Sequence, residues 1–192
     1  MSYEQSFQIM SLDMKGGATE IDLAESERTA DSGTGLCWIH LDYSQSAAHE
    51  WLHTVSWLDP IIRTNLVDDD TRPRSFTLAE GFFLSLRGVN LHPGADPEDM
   101  IAVRMWANKH CIITSNRRRL LSLEDIRTSL DSGAGPRSAA SFVTLLIERI
   151  ALRAETVVEQ IENDFEEVED RLSIGDDAES RALLAQMRRQ AI

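Results

Sequence analysis

The chain is 192 residues long, enough to bury one good core and to add a helical extension. A formal net charge of −13 repels nucleic-acid phosphates and anionic lipid and favours cations, which argues against a nucleic-acid partner. Two cysteines, Cys37 and Cys111, make neither a CxxC pair nor a disulfide framework, no basic and apolar leader opens the chain, and no run of about 18 apolar residues occurs, so a soluble chain from a reducing compartment is predicted.

In chain order, "SFQIMSLD" and "TEIDLA" read as short strands, and the polar "SERTADSGTG" reads as a loop. "LCWIHLDY" is rich in β-formers and ends in Asp42 and Ser44, either of which could cap a helix beginning near Ala47. His40 alternates with Ile39 and Leu41 on one face of that strand and reads as a structurally satisfied histidine.

The next helix carries "HEWLH", which fits H-E-x-x-H. On a helix His49 and His53 share a face and could hold one zinc ion, with Glu50 as general base. A catalytic zinc also needs a third protein ligand and an open position for water. Metzincin-type spacing would put a glycine at Ser56 and the third ligand at Asp59, so the turn residue is missing and the ligand is a less usual one. The competing reading is an amphipathic helix that packs Trp51, Leu52, Val55 and Leu58 inward and leaves His49, Glu50 and His53 outside. A zinc hydrolase is thus the alternative function, and it is the weaker one.

Past Asp59 a second helix is expected, with Pro60 at its first position and Ile61, Ile62 and Leu66 on its apolar side. The acidic "VDDDTRPRSF" reads as a loop whose Asp68, Asp69 and Asp70 are candidate weak cation ligands. "GFFLSLRGVN", "MIAVRMWANKH" and "CIITSN" read as neighbouring strands of a largely antiparallel sheet. "LLSLEDIRTSL" is helical and stops at "DSGAGP".

The last third changes character. From Ser138 to Leu172 neither proline nor glycine interrupts, and Val143, Ile147, Ile150, Ala154, Val157, Ile161, Phe165, Val168 and Leu172 recur at spacings near 3.5, predicting a helix of about 35 residues and roughly 50 Å. A compact domain of this size cannot cover such a helix, so part of it must pack on another helix or subunit. Acidic residues, Glu162, Glu166 and Glu169 among them, crowd its end and read mainly as a solvated face, with weak cation binding as the secondary reading. "SIGDD" is expected to break it before a last helix bearing Arg181, Arg188 and Arg189, basic residues of the kind that gather at the cytoplasmic approach to a membrane span.

Taken together, "WIHLDY", "TRPR", "GFFLSLRGVN", "VRMWANKHCIITSNRRRLLSLEDIRTSL", the "GAGP" turn and "RALLAQMRR" resemble, in order and spacing from about Leu36 onward, the cytoplasmic part of the CorA superfamily of divalent-cation transporters, closest to its ZntB zinc-transporter branch. The resemblance implies an α+β fold, an αβα sandwich with a mixed sheet over residues 1–135, followed by long funnel helices over 136–192. It implies a homopentamer at the cytoplasmic face of the bacterial inner membrane, membrane-attached through C-terminal helices that this chain does not contain. The implied role is assembly, gating or cation attraction for Zn²⁺ or another divalent ion such as Mg²⁺, with no tightly bound cofactor and no enzymatic chemistry. An oligomerisation scaffold is the third reading.

Overall fold

The computed structural model describes residues 6–78, 80–96 and 99–174. Seven strands form one sheet: β1 Phe7–Leu12, β2 Ala18–Glu20, β3 Leu36–Asp42, β4 Arg74–Leu78, β5 Gly81–Gly88, β6 Ile101–Ala107 and β7 Cys111–Asn116. Their spatial order is β2-β1-β3-β7-β6-β5-β4. Among the described strands only β3 and β7 run parallel, with Cys37 opposite Cys111 and Asp42 opposite Asn116, because the chain leaves β3, builds the β4–β6 meander and returns to lie beside it. Every other pairing is antiparallel: β1–β2, β4–β5, β5–β6 and β6–β7 join consecutive strands, and β1 pairs with β3 after the excursion through β2 and the helix at 23–32.

Alternation along the strands sends side chains to two apolar layers. On one face Ile39, Leu41, Phe83, Trp106 and Ile113 pack with Trp51, Leu52, Ile62 and Leu66 of α2 (Ser46–Thr54) and α3 (Pro60–Leu66). On the other, Trp38, Leu84, Met105 and Ile112 pack with Leu123, Ile126 and Leu130 of α4 (Leu121–Asp131) and with Phe142 and Leu146 of α5 (Ala139–Ile174). The molecule is therefore the expected αβα sandwich with a mixed, largely antiparallel sheet, and α5 is a 36-residue helix.

Five local expectations need correction. "SERTADS" is not a loop but most of α1, Leu23–Ser32, capped at its start by Asp22, whose carboxylate accepts the Glu25 N–H, and ended by Gly33 at φ 68°. "TEIDLA" is accordingly split between β2 and α1. "RSF" belongs to β4, an edge strand. Neither Asp42 nor Ser44 caps α2: Gln45 is the N-cap without a side-chain bond, and Asp42 instead accepts the Ser44 N–H. Finally, Ile61 lies outside the core at 55% exposed, whereas Ile62 and Leu66 are fully buried.

On α5 the core takes Phe142 and Leu146, while Ile147 and Val158 of the following side remain exposed. The expected final helix and its arginines lie outside the described residues. No helix among the described residues is long and apolar enough to cross a membrane.

Candidate functional site

The H-E-x-x-H helix forms for packing reasons. Trp51 and Leu52 are 4% exposed and fill the core, and Trp51 donates its indole N–H to Glu27 at 2.8 Å. His49, Glu50 and His53 are all exposed. His49 Nε2 lies 2.8 Å from the Tyr43 carbonyl, a bond in which the ring nitrogen donates and so has no lone pair left for a metal. Asp59, where a third ligand would stand, accepts the Ile61 N–H at 2.7 Å and caps α3. Among the described residues no three His, Cys, Asp or Glu side chains gather as a metal cluster.

The acidic loop after α3 is held from beneath. Register aligns Arg74 with Ser85, Ser85 with Arg104, and Arg104 with Ser115 across four strands, on the face that carries α2 and α3. Ser115 Oγ donates to the Leu66 carbonyl, Arg104 donates to the Asp68 carbonyl, and Arg87 Nε donates to the Thr71 carbonyl at 2.8 Å. The loop thus lies across a row of donors and is pinned residue by residue.

Two of its three carboxylates are engaged. Asp68 pairs with Arg74 at 2.8 Å and Asp70 with Arg72 at 2.8 Å, while Asp69 is exposed. The Asp70 N–H and then Arg74 hold the Asp68 carboxyl below its ordinary range; Arg72 does the same for Asp70. On α5, Glu162, Glu166 and Glu169 are exposed and lie within two turns of one another.

Sequence reasoning missed the arginines. Arg104 is fully buried, with its Nη1 donating to Tyr43 Oη at 2.9 Å and its guanidinium carbon 5.2 Å from the Tyr43 ring centre. Its position inside an alternating strand, flanked by Val103 and Met105 on the opposite face, was the signal available. His40 is satisfied as expected: Nδ1 lies 2.9 Å from Thr114 Oγ1, and desolvation lowers its pKa to about 4, against a smaller upward pull from Asp42.

The family model described as "CorA-like Mg2+ transporter protein" matches residues 33–192. The chain belongs to the CorA-like family. Among relatives, it is 31% identical over 184 residues to "Zinc transport protein ZntB" of Pectobacterium atrosepticum, covering 94% of this chain and 54% of that protein. It is 27% identical over 181 residues to the protein of the same name from Yersinia enterocolitica, with the same 94% and 54% coverage. The chain spans about half the length of these curated relatives.

Among solved structures, full-length CmaX superposes with a TM-score of 0.82 at 27% identity, over 95% of this chain and 56% of that one. The ZntB cytoplasmic domain from Vibrio parahaemolyticus superposes at 0.73 and 23% identity, over 94% of this chain and 70% of that one, which shows the shared CorA-like fold.

Proposed function

We propose that this chain is the cytoplasmic domain of a CorA-family membrane transporter for Zn²⁺ or a related divalent ion, at the inner face of a bacterial inner membrane. The observation that carries the reading is the match to proteins named for zinc transport over 94% of this chain and only 54% of their own length. A sandwich over 1–135 followed by long helices over 136–192 suits a stalk that collects subunits, and five copies around an ion path is the assembly proposed. Its work is assembly, gating and attraction of cations rather than bond chemistry, and it holds no resident cofactor.

Weak divalent binding is assigned to exposed carboxylates, Glu162, Glu166 and Glu169 first, with Asp69 the least engaged residue of the Asp68–Asp70 loop. Metal uptake by proteoliposomes carrying the product of the whole gene tests the reading. Saturable Zn²⁺ or other divalent flux is expected, and its absence for every divalent ion overturns the proposal. Calorimetric Zn²⁺ and Mg²⁺ titrations of the domain should show weak binding that diminishes when the three glutamates are changed to glutamine.

A further inference from the structure

A second polar region lies on the opposite face of the sheet, beneath α4. There the face changes character along its strands. Met10, Trp38 and Ile112 give way to the aligned row Gln8, His40 and Thr114, and then to Ser6, Asp42 and Asn116 at the C-terminal ends of the parallel strands β3 and β7. Between this patch and α4 is a cavity of about 540 Å³, in the range of small-molecule sites.

Its inner groups are short of partners. Asn116 is 4% and Ser6 5% exposed, both line the cavity, and neither side chain has a hydrogen-bond partner among the described residues. Their polar atoms open into the cavity, so a water or a ligand that enters it can bond them. Trp38 donates its indole N–H to Thr114 Oγ1 at 2.8 Å, and His40 Nδ1 shares the same hydroxyl at 2.9 Å, which leaves Nε2 as the polar atom of the ring still open.

The charges decide the ligand class. Arg119 is spent on Glu124, whereas Arg127 has no ion-pair or hydrogen-bond partner among the described residues. Among the described residues the Asp42 carboxylate accepts only the exposed Ser44 N–H. A simple anion meets the carboxylates of Asp42 and of Asp131, which also lines the cavity, and a simple cation meets the Arg127 guanidinium. A bare metal finds no cluster of three ligating side chains among the described residues, and a polyanion is opposed by the net charge of −13. A molecule carrying both signs satisfies both.

We propose that this cavity binds a small zwitterion of the amino-acid class, its ammonium on Asp42, its carboxylate on Arg127 and the Asn116 amide, beside the His40 ring, and its side chain against Leu120 and Leu123. This goes beyond the transport reading and does not depend on it.

Calorimetry and NMR on the 192-residue chain with each proteinogenic L-amino acid test it. At least one should bind one per chain and move the His40 ring signals, with affinity falling at least about tenfold in Asp42→Asn and in Arg127→Ala. Arg127 is an exposed helix residue, so its replacement leaves the fold in place. The proposal is overturned if no amino acid binds at about 10 mM, if propionate or propylamine binds as well as the matching amino acid, or if Zn²⁺ alone produces the His40 shift.

Discussion

Arg104 occupies a core position that an alternating strand ordinarily fills with hydrocarbon, and its charge is met by a phenol and by the carbonyls of Asp68 and Asp70 rather than by a carboxylate in contact. Its partners are one distant tyrosine and two backbone carbonyls, which is why no motif revealed it. His40 belongs to the same scale but was legible, because its strand alternation fixed its face. Its pKa falls from 6.5 to about 4 on folding, so the unfolded chain takes up a proton more readily in that window. The stability it contributes is complete above pH 6.5 and is lost as pH falls to about 4. Chemical denaturation between these limits should show a loss of about 2 to 3 kcal/mol that His40→Gln largely removes. The paired aspartates act later: their depressed pKa values give stability that is lost only below the ordinary carboxylate range. A pH profile indifferent to His40→Gln contradicts this account.

Among the elements, those with a strong period were readable and those held by end effects were not. "CIITSN" is buried at every position as β7, and "LLSLEDIRTSL" forms α4 with Leu123, Ile126 and Leu130 inward. Helix α1 has no comparable stripe: only Ser26 is buried, and its formation rests on Asp22 and Gly33 at its two ends. Strand β4 alternates half-buried and exposed residues and begins with an arginine, so its composition resembles a loop. The cavity beneath α4 was hidden for another reason, since Gln8, His40 and Thr114 become neighbours only through strand register. Asp22→Ala removes the bond to Glu25 N–H and should destabilise α1 by about 1 kcal/mol. Hydrogen exchange reads this directly: faster exchange in 23–32, with β5 to β7 unchanged, is expected, whereas uniform loosening of the sheet assigns Asp22 a different role.

For the whole molecule, the decisive question is what covers the side of α5 that the sandwich leaves open. Ile147 is 44% and Val158 53% exposed, and they sit three helical turns apart on one side, next to the stripe that buries Phe142 and Leu146. Surface of this kind is normally covered by a neighbour. The double change Ile147→Asp and Val158→Asp should therefore lower self-association of the whole gene product, measured by crosslinking in membranes, while leaving the domain's thermal midpoint within a few degrees. Unchanged crosslinking would remove α5 from the interface.

The same helix has a mechanical consequence. Phe142 and Leu146 in the core, and Arg153 bonded to Asp125 at 2.7 Å, fix its first half to the sandwich, and the remaining residues to Ile174 extend roughly 30 Å farther. An arm fixed in this way works as a lever. A tilt of about 5° at its mounting sweeps the far end through about 3 Å, so a repacking too small to alter the sheet is delivered as a displacement comparable to an ion's diameter.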